Sequence, residues 1–236
     1  MTDQVDAAFR KLATIVLADQ PLTATLSRIA DLTRDTLPGV GDVSVTLLQG
    51  GKARTVAFAG DSKLVASLDE RQYDIGFGPC LDAAATGRTI EVSGTSAPDE
   101  IYAEFAAIAR REGVWHTLCV GLPTLQEVNG ALNLYGNGGK GPFTAETKAA
   151  AAGFAGYAAV AITNTALYHG AIEQVTQMQQ AMASRAVIEQ AKGIIMQVHG
   201  VDAEEAFTLL RRRSSHSNRK LRDIAQTVVD GAWRVP

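Results

Sequence analysis

Cysteine is scarce in this sequence, since Cys80 and Cys119 are the only two among 236 residues. Two cysteines are too few for a disulfide framework or a structural zinc site, so small disulfide-rich proteins and zinc domains are excluded. A reducing, cytoplasmic environment fits this composition best. Charged residues make up 20% of the chain and hydrophobic residues 46%, values ordinary for a folded globular protein and against long disorder.

Long apolar runs are also lacking. The most apolar segment, near residue 155, is interrupted by Gly153, Gly156 and Asn164, and no run approaches the roughly 18 residues of a membrane span. The first twelve residues carry acids early and have no apolar core of signal-peptide type. We therefore expect a soluble cytoplasmic protein with no membrane partner.

Enzyme motifs are missing as well. The sequence contains no H-E-x-x-H, no C-x-x-C and no G-x-S-x-G. The glycine-rich stretch 136–141 lacks two residues that a phosphate-binding P-loop needs, and a plain strand-to-helix connection is favoured there. We predict that the protein is not an enzyme and has no catalytic residue and no metal site.

Charge is distributed unevenly along the chain. Residues 184–236 hold nine of the 22 Lys and Arg residues but six of the 25 Asp and Glu residues, a net charge of +3 against −6 for the rest. An acidic body with a basic C-terminal segment indicates that only this segment meets a polyanion.

Hydrophobic periodicity and turn residues predict an α+β fold, in which an antiparallel sheet is flanked by helices. The predicted helices are 3–18, 21–37, 62–71, 79–86, 99–113 and a long one from Thr144; the predicted strands are 42–48, 53–60, 89–92, 114–122 and 128–136. Gly50-Gly51 predicts a hairpin turn, and Pro79 the first turn of a helix that ends at Gly87.

The long helix carries a seam of coiled-coil type, which predicts a homodimer. The seam residues recur at steps of three or four: Leu167, Ala171, Val175, Met178 and Met182.

The basic segment predicts three short helices around one small core. An apolar stripe over 186–198 includes Ile194 and Val198, and Asp202 caps a second helix that buries Ala203, Ala206, Phe207 and Leu210. Asn218 is the predicted N-cap of the third helix. The cations around Ser214–Asn218 exceed what two helix ends need, so a nucleic acid is favoured, with RNA and DNA both open.

Residues 5–168 resemble a GAF domain, a sensory α+β fold. The resemblance rests on GFGPCLDAAATGRTIEV, IARREGVWHTLCVGLP and GALNLYGNGGKGPFTAE. It implies a small-molecule effector in a pocket, although a pocket that serves only packing is equally consistent. The candidate pocket residues are Phe77, Cys80, Trp115 and His116. Cys80 as a redox thiol and His116 as a haem ligand are alternatives to plain structural roles, which are favoured.

Residues 184–231 resemble an ANTAR domain, through SRAVIEQAKGIIM, AEEAFTLLRRRS and NRKLRDIA. The resemblance implies an RNA-binding transcription antiterminator that engages paired hairpins in nascent mRNA leaders as a dimer. No cofactor is implied for RNA binding. The residues expected to contact RNA are Gln190, Lys192, Arg211, Arg212, Ser215, His216, Arg219 and Lys220.

The predicted organisation has three parts: a sensory domain over 1–168, a connecting helix over 169–183 and an RNA-binding domain over 184–236. We expect a signal-responsive antiterminator. A DNA-binding regulator and a ligand or redox sensor with another output are the alternatives.

Overall fold

The structure is a computed structural model that describes residues 3–13, 21–93, 101–122, 129–137 and 142–232. The chain divides into two compact units, residues 1–167 and residues 168–236. Each unit has a hydrophobic core of its own and is described separately.

The first unit contains a five-stranded sheet in which every pairing is antiparallel, which confirms the predicted α+β fold. Its strands are β1 (Asp42–Gln49), β2 (Lys52–Ala59), β3 (Thr89–Ser93), β4 (Val114–Gly121) and β5 (Asn129–Asn137), in the order β2-β1-β5-β4-β3. Gly50 and Gly51 join β1 to β2 with φ angles of 58° and 76°. Both lie in the left-handed region that a two-residue hairpin turn requires, so the predicted turn is confirmed.

Helices cover both faces of this sheet. They are α1 (Asp3–Ala13), α2 (Leu22–Thr36), α3 (Ser62–Ile75), α4 (Pro79–Thr86) and α5 (Ala103–Arg111), followed by α6 (Ala145–His199). The larger core lies between one face of the sheet and the helices α1, α2 and the first part of α6. Helices α3, α4 and α5 pack against the other face through two smaller clusters.

The side chains of β1 alternate between the two faces of the sheet, and so between the two layers of helices. Val43, Val45 and Leu47 enter the larger core. Ser44 and Thr46 are equally buried and face the α3 side, where they meet other polar groups. The α3 side of the sheet is therefore the polar side of the fold.

Local signals placed most helix ends correctly. Pro79 is the first residue of α4, and Gly87 ends that helix in the left-handed conformation. Helix α3 extends to Ile75, four residues beyond its predicted end, where Gly76 ends it. Helix α1 is described as far as Ala13, so the predicted stretch 14–18 lies outside the described residues, as do the predicted start of α5 at Asp99 and residue 128.

Helix α6 has 55 residues, which corrects the prediction of three short helices in the basic segment. The first of the three is the C-terminal end of α6, because the chain around Ser184 contains no proline or glycine that would stop a helix. Among the described helices, α6 is the one long and apolar enough to cross a membrane by length and composition. In its most apolar window, 44% of the residues are buried inside the protein.

The second unit packs the end of α6 against α7 (Ala203–Ser217) and α8 (Leu221–Val229). Its core is small and aliphatic, made of Ala191, Ile195, Ala206, Leu210, Ile224, Ala225 and Val228. Asp202 caps α7 as predicted, because its carboxylate accepts hydrogen bonds from the backbone N–H groups of Glu204 and Glu205.

Other predictions for this unit are wrong. Ile194 and Val198 are 39% and 68% exposed, and Phe207 is 37% exposed. The small core of this unit buries only a narrow apolar stripe on α6 and another on α7. Apolar residues at the margin of each predicted stripe therefore remain exposed. Ala203 is exposed for the same reason.

Asn218 is not the N-cap of the third helix. It ends α7 with a φ of 50°, and Lys220 is the residue before α8. Asparagine favours both roles, because its short polar side chain also tolerates the left-handed conformation.

Candidate nucleic-acid interface and ligand sites

Four of the predicted RNA contacts share one exposed side of α7. Arg211, Arg212, Ser215 and His216 stand at steps of one, three and one, which places them on the same side of a helix. All four are exposed, and Leu210, on the opposite side, is fully buried in the core. His216 Nδ1 lies 2.7 Å from the carbonyl oxygen of Arg212, so the imidazole is held against the helix.

The remaining two cations of the turn, Arg219 and Lys220, are presented by a turn of defined geometry. Ser214 Oγ donates to the carbonyl oxygen of Arg219 at 2.6 Å, and the N–H of Arg219 donates to the carbonyl oxygen of Ser214 at 3.2 Å. These two bonds close the chain around Asn218. The turn therefore has a hydrogen-bonded backbone that carries two exposed cationic side chains.

Arg211, Arg212, Arg219 and Lys220 have no ion-pair partner within 4.0 Å among the described residues. We call these four residues together with Ser215 and His216 the basic surface. Exposed, unpaired cations at a helix end are suited to several phosphates at once.

Two predicted contacts on α6 are separated from each other. Lys192 pairs with Glu189 at 3.0 Å, and its side chain is 17% exposed. Gln190 is exposed and borders a shallow apolar groove beside Ile194 and Val198. Residues separated by two positions on a helix are rotated by about 200° around its axis, so Gln190 and Lys192 face nearly opposite directions.

The structure does not bring the four predicted pocket residues together. Cys80 packs with Cys119 on the α3 side of the sheet. His116 lies on the other face, with its ring centroid 6.5 Å from that of Phe143. Trp115 is 40% exposed, and Phe77, also exposed, stacks on Tyr102 at a centroid distance of 5.8 Å. The sheet itself separates His116 from Cys80.

Cys80 is fully buried at the start of α4. Its backbone N–H donates to Gln72 Oε1 at 3.0 Å. The helix terminus would favour a thiolate, but desolvation raises the pKa of the Cys80 thiol well above its ordinary value. The thiol is therefore protonated and shielded from solvent.

A buried group of polar side chains under α3 was not predicted from the sequence. This polar cluster consists of Ser44, Thr46, Thr55, Asp69, Tyr73, Asn133 and Tyr135. The Tyr135 hydroxyl and Thr55 Oγ1 donate to the two carboxylate oxygens of Asp69, the latter at 2.7 Å. Desolvation raises the pKa of Asp69 despite these bonds. The one sequence signal was an acid on the inward side of α3.

The other half of the polar cluster connects β1 to β5. Asn133 Nδ2 donates to Ser44 Oγ at 3.0 Å and to Thr46 Oγ1 at 2.9 Å. The Tyr73 hydroxyl lies 2.9 Å from Thr46 Oγ1. The centre of the sheet under α3 is thus occupied by the protein's own side chains. Among the described residues, no group of three or more His, Cys, Asp or Glu side chains could hold a metal ion.

The family comparison matches the ANTAR domain over residues 176–229. A comparison with curated proteins found no match.

Solved structures similar to the chain cover most of the first unit. The phycoerythrobilin-bound GAF domain of a cyanobacterial phytochrome is 11% identical, with a TM-score of 0.54 over 72% of this chain and 99% of that one. The GAF domain of Acinetobacter phosphoenolpyruvate-protein phosphotransferase is 13% identical, with a TM-score of 0.52 over 71% and 97%. The reduced form of fRMsr of Staphylococcus aureus is 16% identical, with a TM-score of 0.50 over 66% and 94%.

These identities show a shared fold and nothing about ligands. Together with the family match, they show that this chain is built of a region with the GAF fold followed by an ANTAR domain.

Proposed function

We propose that the protein is a signal-responsive transcription antiterminator that binds RNA through its ANTAR domain. The RNA is a pair of small hairpins in a nascent mRNA leader, and its capture prevents the terminator hairpin from forming. The observation that carries the proposal is the basic surface, whose four cations have no ion-pair partner within the described part of the chain.

Hairpin loops suit this surface better than a regular duplex does. Loop bases are splayed and can meet side chains such as Ser215 and His216, while phosphates need long, mobile cations. A recognition helix in a DNA major groove contacts base edges through its N-terminal residues. Helix α7 carries acids, Glu204 and Glu205, in its first turn, and its cations lie in its second half. The basic surface is compact, as expected for a loop contact.

The proposal includes a homodimer formed along α6. Leu167, Val175, Met178 and Met182 are 55–66% exposed in the single chain. Steps of four and three place these residues and Ala171 on one side of the helix over about four turns. An exposed apolar stripe of this length is what a second copy would cover, and a dimer presents two basic surfaces to two hairpins.

We further propose that the protein works in the cytoplasm and is not an enzyme, with the GAF-fold unit receiving the signal. The buried carboxyl group of Asp69 and the buried thiol of Cys80 support a sensory or structural role for this unit, because both are closed off from solvent. The effector is a small molecule.

A competition experiment tests the RNA assignment. A labelled two-hairpin leader RNA is bound to the full chain and challenged with unlabelled RNA or with duplex DNA of equal length. We expect the unlabelled RNA to displace the label at far lower concentration than the duplex. Equal or better displacement by the duplex would establish the DNA-binding alternative.

A further inference from the structure

A small apolar cavity opens at the surface of the first unit, between the end of α3, the α3–α4 connection and α5. It encloses about 100 Å³, which at roughly 15 Å³ for each water-sized group is room for about seven such groups. Its walls are aliphatic and aromatic, formed by Ile75, Phe77, Phe105 and Ile108. The Cα and side chain of a leucine-sized molecule fit this space, with its charged groups outside at the mouth.

Two opposite charges stand at the mouth of this cavity. Arg71 Nη2 lies 3.9 Å from Glu104 Oε1, and the side chains are 54% and 79% exposed. An exposed pair at such a distance contributes little to stability. Both groups therefore keep most of their hydrogen-bonding capacity for a ligand.

We propose that this cavity binds a small apolar α-amino acid in its zwitterionic form. The carboxylate would bind Arg71, the ammonium would bind Glu104, and the side chain would lie between Ile75 and Ile108. A ligand with one charge would satisfy one of these groups and be repelled by the other, whereas a zwitterion satisfies both.

The cavity also lies next to a residue that holds the neighbouring loop. Gln72 lines it and donates from Nε2 to the carbonyl oxygen of Leu68 while its Oε1 accepts from the N–H of Cys80. Gly78, another lining residue, has no room for a side chain, because a Cβ would lie 2.3 Å from Gln72 Oε1. A ligand here thus contacts the connection from α3 to α4. The claim that this ligand is the effector rests on the proposed function. The claim that the cavity binds it does not.

Calorimetric titration of the full chain with L-leucine and with L-valine tests the site. We expect saturable binding of at least one of them. Arg71→Gln and Glu104→Gln should each weaken it about tenfold or more, as for loss of a charge-assisted hydrogen bond. Arg88→Gln and Glu70→Gln remove the same charges from exposed positions elsewhere in the unit and should leave binding unchanged.

Ligand analogues separate direct contact from a structural effect. Isoamylamine lacks the carboxylate of leucine, and 4-methylpentanoate lacks its ammonium. Arg71→Gln should reduce the preference for leucine over isoamylamine, and Glu104→Gln the preference over 4-methylpentanoate. Absence of saturable binding by both amino acids, or binding that Arg71→Gln leaves unchanged, would overturn the site.

The assay contains no RNA, so it is independent of the antiterminator proposal. A variant with Arg211→Gln and Arg212→Gln should bind the amino acid as the unmodified protein does. Amino-acid binding without RNA binding would refute the proposed function alone, and the reverse result would refute this site alone.

Discussion

Ser214 and Arg219 are joined by a hydrogen bond of 2.6 Å from the Ser214 hydroxyl to the Arg219 carbonyl oxygen. The bond spans the left-handed residue Asn218 and closes the turn between α7 and α8. It therefore links a side chain of α7 to the backbone from which two cations of the basic surface project. Stability of the turn and affinity for RNA should be coupled through it.

Replacement of Ser214 by alanine tests that coupling. We expect a loss of about 1 kcal/mol in the free energy of unfolding, the usual contribution of one such bond, and weaker binding of leader RNA. Urea denaturation and fluorescence anisotropy measure the two effects.

Ser217→Ala is the matched control. Ser217 Oγ donates to the carbonyl oxygen of Arg213 within α7, so this bond does not close the turn to Arg219. Asn218→Gly should keep RNA affinity, because glycine adopts the same backbone conformation without strain. Equal effects of Ser214→Ala and Ser217→Ala on RNA binding would show that the turn has no special part.

The salt dependence of RNA binding should reflect the number of phosphate contacts that the cations of the basic surface make. Four phosphate contacts on single-stranded loops predict a slope of log K against log salt near −3, from about −0.7 per contact. Replacing Arg211 and Arg212 by glutamine should make the slope shallower by about 1.4. Lys63→Gln, an exposed position on α3, is the control. A slope near zero for the unmodified protein would reject the assignment of these cations.

The apolar stripe on α6 predicts the oligomeric state. Met178→Glu with Met182→Glu should convert dimers into monomers, because each carboxylate would be buried without a partner in the dimer. Sedimentation velocity measures the change. Gln177→Glu with Gln180→Glu adds the same charge on the opposite side of the helix and should leave the dimer intact. An unchanged sedimentation profile of the methionine variant would exclude this stripe as the interface.

Asp69 predicts a pH dependence of the first unit. Its pKa in the folded protein is raised above the ordinary value of 3.8, chiefly by desolvation. The folded state therefore holds this proton more tightly than the unfolded state does. The resulting stabilisation is complete below pH 3.8 and is lost as the pH rises through the folded-state pKa.

Asp69→Asn should remove this contribution, because an amide does not titrate. Unfolding free energies measured over a pH series should fall less steeply with rising pH for Asp69→Asn than for the unmodified protein. Asp74→Asn, at an exposed position on the same helix, should preserve the original dependence. Parallel curves for Asp69→Asn and the unmodified protein would contradict the raised pKa.

Sequence signals that act within a few residues were sufficient for much of the fold. Gly50-Gly51, Pro79 and Asp202 each set a turn or a helix end through their own backbone or side chain, and each lies where it was predicted. The prediction for Asn218 was wrong because asparagine is favoured at either end of a helix. The neighbouring residues determine which end it occupies.

Features that depend on distant partners were missed. Phe207 is exposed because the helices around it are too few to cover it. The polar cluster could not be foreseen, since Asp69 and Tyr135 are 66 residues apart and meet only when α3 packs on the sheet. His116 and Cys80 were predicted to line one pocket, but they lie on opposite faces of the sheet.

Sequencing of RNA crosslinked to the protein in its own cell tests whether the protein binds leader RNA. We expect enrichment of mRNA leader segments that contain two small hairpins ahead of a terminator. A variant with Arg211, Arg212, Arg219 and Lys220 replaced by glutamine should lose this enrichment while it still folds. Recovery of the same RNA by both proteins, or of no leader segments by either, would contradict the account.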